Sequence, residues 1–448
     1  MTDGVVIVGG GASGTLTAVA LAGVPGLGPL MLVDAGGAFA RGVAYSTEEP
    51  VHLLNVPAGR MSAFPDQPSH LLDWLAARGE PADPEAFIQR RLYGAYLGEL
   101  LHGTGTRVRR VVDRALSLAA HGPGLQVALA LGPPLQARAA VLALGNFPPE
   151  LPPGWTELPP RLAWRTPWCT PEDWPAPDTE VLLVGAGLTA VDVVLSLDAR
   201  GHRGRIHLLS RRGLAPATHP ARMFAPLALG PRPAGLRPLL RMFRERARRE
   251  DPRAVLDTLR PELGALWQGL SPVEQRRFLR HLRTWFDTLR HRVAPEVGAR
   301  VGALEAEGRL VRHAGRAVSI TEQGGRLALR YRPRGARTLA VLAVDLAIPT
   351  TGPAMDVRAL DDPLVRSLLA AGQARPGPHG LGFATAEDGA VLGPLGDRLW
   401  TLGGLRRGDL WESTAIPEIR AQAQALGGTL AARLRTAGAG SGPRPGRC

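Results

Sequence analysis

The chain has 448 residues, of which 53 are basic and 40 are acidic, so its formal net charge is +13. Every basic residue is Arg, which excludes a Schiff-base lysine, a pyridoxal-phosphate anchor and a P-loop. The absence of Lys and the scarcity of Asn beside abundant Ala, Arg, Gly and Pro indicate a coding bias, so the positive charge does not by itself identify a nucleic-acid-binding protein.

The cysteine pattern and the apolar runs bound the class of protein further. Only Cys169 and Cys448 are present, and no C-x-x-C pair occurs. This argues against a redox-active disulfide within the chain and against a structural zinc site, and no metal site is predicted. No apolar run reaches the about 18 residues of a membrane-spanning helix, and no signal-peptide pattern precedes the first strand. We therefore expect a cytoplasmic protein that does not insert into membranes.

The first predicted element is a buried strand that runs into a glycine-rich turn, VVIVGGGASG. Gly9, Gly11 and Gly14 stand in G-x-G-x-x-G spacing, and the turn opens an apolar, helix-like stretch. Such a turn lets backbone N–H groups approach a pyrophosphate at a helix N-terminus, so Gly9, Gly11, Ser13 and Gly14 are predicted to bind a dinucleotide. About 25 residues later, Asp34 closes the strand LMLVD, where a carboxylate accepts hydrogen bonds from a ribose. This pattern fits FAD.

A second strand and turn, VLLVGAGLTA, repeat the pattern far along the chain. Gly185, Gly187 and Ala190 stand in G-x-G-x-x-A spacing, and Gly185, Gly187, Thr189 and Ala190 are predicted to contact a second dinucleotide. One such match is ambiguous. Two matches, each between a strand and a helix, predict two dinucleotides side by side.

The residue that closes the following strand differs between the two units. Where Asp34 stands in the first unit, the second has Ser210, followed by Arg211 and Arg212. An acid would repel a 2′-phosphate, whereas a guanidinium can bind it with two hydrogen bonds. The second site is therefore predicted to bind NADPH rather than NADH through both arginines. The alternative is that they belong to a solvated loop.

A long Arg-rich segment between about residues 220 and 300 is predicted to be helical. Its sequence SPVEQRRFLRHLRTWFDTLRHRV carries a helix start signal in Ser271 as the N-cap, Pro272 at the first position and Glu274 at the third. Apolar residues then recur at helical spacing, namely Phe278, Leu282, Phe286 and Leu289. Two interpretations stay open for this stripe, which are ordinary packing and a helical lid over a substrate pocket.

Several single residues are candidates for chemistry. Asn55 is one of only two asparagines, and its amide could bond a flavin edge, with a turn residue as the alternative. His219 follows the SRRGLAP loop as a candidate acid or base, and a surface histidine is the alternative. Asn146 follows the strand VLALG, where a cofactor contact and a plain loop role are both open. Asp192 lies one turn into the second helix and is interpreted as a surface carboxylate.

Longer segments carry a resemblance to a known family. GVAYSTEEPVHLLNVPAGRMSAFPDQP, RRLYGAYL, GHRGRIHLLSRRGLAPATHP and LRRGDLWESTAIPEIR resemble bacterial FAD/NAD(P)-binding proteins related to flavin-dependent N-hydroxylases and to an FAD-dependent urate hydroxylase. The resemblance implies FAD at the first fingerprint, with the LNVPAGRM segment that ends at Met61 near the flavin. It implies NADPH at the second fingerprint. Asp409 becomes a candidate partner of the ribityl chain by the same resemblance.

The implied fold is α/β, with two Rossmann-type dinucleotide-binding domains and a helical insertion. In proteins of this kind, the FAD-binding domain is discontinuous because the NADPH-binding domain interrupts it. The predicted boundaries are residues 1–150 for the first part of the FAD domain, 151–350 for the NADPH domain with the insertion at about 220–300, 351–435 for the completion of the FAD domain, and 436–448 for a disordered tail.

The predicted activity is that of an FAD-dependent, NADPH-using oxidoreductase, specifically a monooxygenase-type hydroxylase of a small organic substrate with O2. The linker before the second fingerprint contains no His, which disfavours a Baeyer–Villiger reaction. One alternative is an NADPH-dependent reductase or oxidase that passes electrons to a quinone or a protein. Another is a basic, flavin-containing nucleic-acid-binding protein, although no binding motif of that kind is present.

Overall fold

The computed structural model describes residues 4–168 and 174–439. Both cysteines, Cys169 and Cys448, lie outside the described residues. The final helix continues through Ala439, four residues into the segment predicted to be a disordered tail, and residues 440–448 lie outside the described residues.

The strands of the first sheet are β1 (Val5–Val8), β2 (Leu30–Asp34), β3 (Val108–Val112), β7 (Ala139–Leu142) and β14 (Leu399–Thr401). All five are parallel and lie in the order β14-β7-β1-β2-β3. The central strands are buried on both faces, as continuous apolar runs of a parallel sheet should be. Strand β14 comes from the end of the chain, so this unit is discontinuous, as predicted.

Helices cover the first sheet on both faces. They are α1 (Ala12–Ala22), α2 (Gly42–Tyr45), α3 (His70–Ala76), α4 (Arg90–Gly103), α12 (Pro363–Ala370), α13 (Arg407–Leu410) and α14 (Ile416–Ala439). A small antiparallel sheet of β4 (Ala115–His121), β5 (Gly124–Leu129) and β6 (Leu135–Ala137) joins the same unit.

In the second sheet, strands β8 (Val181–Val184), β9 (Ile206–Ser210), β10 (Leu310–Gln323) and β13 (Leu346–Pro349) pair in parallel, and β11 (Arg326–Pro333) and β12 (Ala340–Val344) extend the sheet in antiparallel fashion. The six strands lie in the order β12-β11-β10-β9-β8-β13. Helices α5 (Leu188–Ala199) and α11 (Pro295–Ala306) pack on it. The predicted fold class, with two Rossmann-type units, is confirmed.

The predicted helical insertion lies between β9 and α11. It contains α6 (Leu236–Arg246), α7 (Pro252–Leu259), α8 (Leu263–Gln268), α9 (Pro272–Arg277), a π-helical turn (Phe278–Leu282) and α10 (Arg283–Arg290). The predicted start of α9 is confirmed, because Ser271 and Glu274 form a reciprocal capping box. Residues 295–300 belong instead to α11, which packs in the core of the second unit. The predicted domain boundaries stay predictions.

A buried ion pair joins the two units and corrects the interpretation of Asp192 as a surface carboxylate. Asp192 is 6% exposed, because the start of α4 from the first unit covers this part of α5. Its carboxylate accepts two hydrogen bonds from Arg90, at 2.7 and 3.0 Å. Beside this pair, the His52 ring contacts the Ser196 hydroxyl at 2.9 Å. Residues of the first unit thus pack against one face of α5, the helix that follows the second fingerprint.

Candidate functional site

Both fingerprint turns begin with a glycine that no other residue could replace without strain. Gly9 has a φ of +107° and Gly185 a φ of +121°, a backbone conformation that favours glycine. A Cβ at Gly9 would overlap the carbonyl oxygen of Ala143, and one at Gly185 would overlap that of Thr350. Each turn therefore passes directly against the segment that leaves the neighbouring strand.

The second glycine of each turn caps a helix, and the space in front of it differs between the two units. Gly11 precedes α1 and Gly187 precedes α5, and neither helix has an acidic residue in its first turn. A Cβ at Gly11 would lie 3.3 Å from the Gly42 Cα atom, whereas one at Gly187 would meet nothing within 4 Å. Two helix N-termini with open backbone N–H groups are suited to bind the anionic pyrophosphates of two dinucleotides.

The third position explains why one unit has Gly and the other Ala. A Cβ at Gly14 would overlap the Gly9 carbonyl oxygen, so α1 lies very close to its strand. Ala190 is fully buried and its methyl group is accommodated in the second unit. Ser13 lies on the open side of α1, where its Oγ would be 3.7 Å from a Cβ at Gly403. Thr189 is half-buried at the start of α5.

Asp34 stands at the end of β2, beside the first turn, as predicted. Its Oδ2 accepts the Gly10 N–H at 2.8 Å, and its Oδ1 accepts those of Gly36 and Gly37 at 3.0 and 3.1 Å. A carboxylate offers about four acceptor positions, so one is left for a ligand hydroxyl. Asp34 and Asn146 line the same cleft of about 490 Å³ at the carboxyl edge of the first sheet. This cleft has the position expected for a nucleotide in an open α/β sheet.

The two arginines that were predicted to act together lie in different surroundings. Ser210 accepts the Gly213 N–H through its hydroxyl at 3.0 Å, which shapes the loop after β9. Arg211 is exposed to solvent. Arg212 instead donates to the carbonyl oxygen of His281 at 3.2 Å, and its guanidinium lies 5.8 Å from the ring of Trp285. Arg211 is therefore the freer of the two for a phosphate, while Arg212 connects this loop to the helical insertion.

The structure brings the two predicted catalytic residues together. His219 donates from Nε2 to the backbone oxygen of Asn55 at 3.0 Å, so the Asn55 amide itself is not its partner. The Phe87 ring packs against the imidazole with centroids 4.9 Å apart. Burial lowers the pKa of His219 to about 4, which keeps the ring neutral at physiological pH. With Nε2 donating, Nδ1 is the free acceptor, and in the described part of the chain it has no partner. The catalytic roles of both residues stay predictions.

Met61 and Asp409 make contacts within the protein. The Met61 side chain is only 2% exposed and packs in the core of the first unit, so any cofactor contact there would come from its backbone. Asp409 accepts hydrogen bonds from the N–H and the hydroxyl of Thr385, at 2.9 and 2.8 Å. It thereby ties α13 to the segment before β14. Cofactor binding by these two residues stays a prediction.

The helical insertion encloses an apolar crevice of about 180 Å³, which sequence reasoning located only in part. All the side chains that line it are Leu, Phe or Trp, and they include the predicted stripe of Phe278, Leu282, Phe286 and Leu289. The stripe thus faces a cavity as well as its neighbours. Trp411 forms the inner wall from the segment after α13, and its φ of +59° is strained for a bulky side chain. The crevice therefore lies between the insertion and the part of the chain that completes the first unit.

Comparisons with known proteins agree with the first site. A family model for FAD-NAD(P)-binding proteins matches residues 6–147, which run from the first fingerprint to the edge of the cleft. No curated protein sequence matches the chain. This match supports FAD/NAD(P) binding by the first unit, and it does so independently of the geometry.

Solved structures show the fold over nearly the whole chain. The ornithine N-hydroxylase of Kutzneria sp. 744 has a TM-score of 0.68 at 17% identity, covering 97% of this chain and 100% of its own. The L-lysine 6-monooxygenase of Pseudomonas syringae has a TM-score of 0.66 at 17% identity, covering 98% and 100%. The bacillithiol disulfide reductase of Bacillus cereus reaches 0.58 at 15%, covering 96% and 99%. The predicted resemblance to flavin-dependent N-hydroxylases is confirmed at the level of the fold.

Within residues 4–168 and 174–439, no helix combines the length and the apolar character needed to cross a bilayer.

Proposed function

We propose that this protein is an FAD-dependent, NADPH-using monooxygenase that hydroxylates a small organic substrate with O2. The observation that carries the proposal is the pair of matched glycine turns whose next strands end differently, in Asp34 and in Ser210 followed by Arg211. A carboxylate favours a ribose hydroxyl, and an exposed guanidinium favours a 2′-phosphate. The proposal includes a cytoplasmic location.

The first unit would hold FAD through its own backbone and one carboxylate. The α1 N-terminus at Gly11 would face the pyrophosphate, and Asp34 would accept a ribose hydroxyl. Bound FAD would supply hydride acceptance from NADPH and electron transfer to oxygen. The protein contributes binding, orientation and exclusion of water around that chemistry. The neutral His219, held by the Asn55 carbonyl, is the group we propose for proton transfer at its free Nδ1.

The second unit would hold NADPH at the α5 N-terminus. Gly187 leaves that N-terminus open, and Arg211 would bind the 2′-phosphate from the adjacent loop. In the Kutzneria ornithine N-hydroxylase, whose fold this chain shares, the structure contains reduced FAD, NADP+ and L-ornithine. That arrangement supports two nucleotide sites working together.

We expect Arg211→Ala to weaken the binding of NADPH by about tenfold or somewhat more and to leave the binding of NADH nearly unchanged. Only NADPH carries the 2′-phosphate, and solvent exposure keeps the effect at the lower end of a charge-assisted hydrogen bond. The measurement is the rate of flavin reduction against the concentration of each nicotinamide. Arg222→Ala removes an equal charge from an exposed position of the same unit and serves as the control. Equal losses toward both nicotinamides would show that Arg211 supports the loop instead.

Two observations favour a monooxygenase over a reductase that passes electrons to a disulfide, quinone or protein. The TM-scores of 0.68 for the ornithine N-hydroxylase and 0.66 for the L-lysine 6-monooxygenase exceed the 0.58 of the bacillithiol disulfide reductase. The chain also has only two cysteines and no C-x-x-C dithiol for disulfide exchange.

The oxygen reaction tests this choice. The protein is reduced anaerobically with NADPH and mixed with O2 or with menadione in a stopped-flow spectrometer. In oxygen, a monooxygenase should show a spectral transient before the oxidised flavin spectrum returns. Its reduced flavin should be reoxidised more slowly by menadione than by O2. Direct single-step reoxidation together with faster transfer to menadione would favour the reductase and overturn the proposal.

A further inference from the structure

The apolar crevice has no group that could recognise a charged amine. Its lining consists of Leu, Phe and Trp side chains, without an Asp or Glu. An ammonium group buried there would lose its hydration without gaining a carboxylate or carbonyl partner, which is strongly unfavourable. A ligand in this crevice therefore places an apolar body against these walls.

Two guanidiniums lie around Trp411, one of the residues that line the crevice, although neither arginine lines the crevice itself. The Cζ atom of Arg283 is 5.9 Å from the centre of the Trp411 ring, and that of Arg407 is 5.5 Å from it. Both groups donate to one weak acceptor, the Met355 thioether, at 3.6 Å from Arg283 Nη2 and 2.9 Å from Arg407 Nη1. A thioether is a poor partner for a guanidinium, which prefers a carboxylate or a phosphate.

The positive charge of this pair is only partly balanced by the protein. Arg283 Nε lies 3.3 Å from Asp287 Oδ2, and among the described residues the Nε of Arg407 is buried without a hydrogen-bond partner. Glu412 is bound by Arg290 at 2.8 Å. Burial, with Arg283 adding to it, lowers the pKa of Arg407. Burial also lowers the pKa of His291, beside Asp287, to about 4, so that ring stays neutral at physiological pH. Among the described residues, Asp287 is thus the one carboxylate bonded to this pair, while Glu412, which Arg290 binds, acts on Arg407 through its charge alone.

We propose that the crevice and this arginine pair form one binding site for an organic anion with an apolar body, such as an aliphatic carboxylic acid. The apolar body would lie along the Phe278–Leu289 wall, and the carboxylate would bind Arg283 and Arg407 beside Trp411. This assignment rests on the proposed function in one respect, because it makes the anion the substrate. One atom of O2 would enter the substrate as a hydroxyl group in place of a hydrogen atom, the other would leave as water, and NADPH would supply the two electrons. It distinguishes this protein from enzymes that act on a diamine, because the guanidiniums of Arg283 and Arg407 would repel an ammonium group.

An anion at this pair has a second possible source, the phosphates of NADPH. Met355 follows Thr350, the residue that packs against the first glycine of the second fingerprint, by only a few positions in the chain. The shared chemistry is an anion bound by two guanidiniums. The test therefore measures both ligands on the same variants.

The probes are octanoate, octylamine and 1-octanol, which have the same apolar body and differ in charge. Each is titrated into the FAD-loaded protein by calorimetry, and NADPH is titrated by flavin reduction. We expect octanoate to bind at least about tenfold more tightly than either other probe, and Arg407→Met to abolish that difference while leaving 1-octanol unchanged. Arg280→Met, at an exposed position of the same helical segment, should change nothing.

Two results would overturn the proposal. Equal affinity for the three probes would mean that the arginines do not select an anion. A loss of NADPH affinity in Arg407→Met with unchanged octanoate binding would assign the pair to the nucleotide. Arg283→Met provides the same test if Arg407→Met does not fold. The calorimetric titrations are equilibrium measurements, and flavin reduction by NADPH is a half-reaction that needs no oxygen, so neither outcome depends on whether the protein proves to be a monooxygenase.

Discussion

Gly11→Val should purify without bound flavin. Gly11 caps α1 with a φ of −71°, so a valine is sterically possible for the backbone, but its side chain would fill the space between the helix N-terminus and Gly42. That is the space through which the pyrophosphate reaches the backbone N–H groups. The measurement is the ratio of flavin absorbance to protein absorbance in the purified variant, with circular dichroism to show that the fold is retained.

The matched control is the same change in the second unit. Gly187 caps α5 with a φ of −85°, and a Cβ there meets nothing within 4 Å. We expect Gly187→Val to keep its flavin and to lose most of its rate of reduction by NADPH. If Gly11→Val retained flavin at full stoichiometry, the assignment of FAD to the first unit would be wrong. Loss of flavin in both variants would mean that the sites are not separate.

Asp192→Leu should destabilise the protein by about 3 kcal/mol, because it leaves the Arg90 charge buried without its partner. The side chains of this pair are 8% and 13% exposed for Asp192 and Arg90, so water cannot replace the lost carboxylate. The measurement is the urea midpoint of the FAD-loaded protein, followed by the fluorescence of its tryptophans. The double variant Arg90→Leu with Asp192→Leu should recover part of the loss, since it removes both charges together.

An exposed pair in the same unit provides the comparison. Asp178 and Arg203 pair at 2.9 Å with side chains that are 74% and 70% exposed, so Asp178→Leu should leave the midpoint unchanged. If Asp192→Leu behaved like Asp178→Leu, the contact between α4 and α5 would not persist in solution. Because the Arg90–Asp192 pair joins the two units, Asp192→Leu should also slow flavin reduction by NADPH.

The parts of the fold that the sequence predicts are those encoded by neighbouring residues. The strands at Val5–Val8 and Val181–Val184 are short apolar runs, and each is followed by glycines whose spacing suits one kind of turn. The start of α9 is equally local, since Ser271, Pro272 and Glu274 act within one helical turn. Asp34 is found by counting from the first turn, because the length of the crossover helix is nearly constant in such units.

The errors and omissions involve contacts between distant segments. Asp192 has a polar side chain on a helix, and nothing nearby in the sequence indicates that Arg90 covers it. The His219 contact with Asn55 joins residues far apart in the chain, and the bond uses a backbone carbonyl that every residue has. Arg283 and Arg407 carry no signal either, because they are two among the many arginines of a chain without lysine. Their role follows only from the shared position beside Trp411.

The measurement that tests the central claim most directly is anaerobic reduction of the purified protein by NADPH and by NADH. The account predicts that the protein carries an oxidised flavin spectrum, which NADPH bleaches at about tenfold or more lower concentration than NADH, since Arg211 stands where an acid would favour NADH. A protein that purifies and refolds with no affinity for FAD, or a flavin that NADH reduces more efficiently than NADPH, would contradict it.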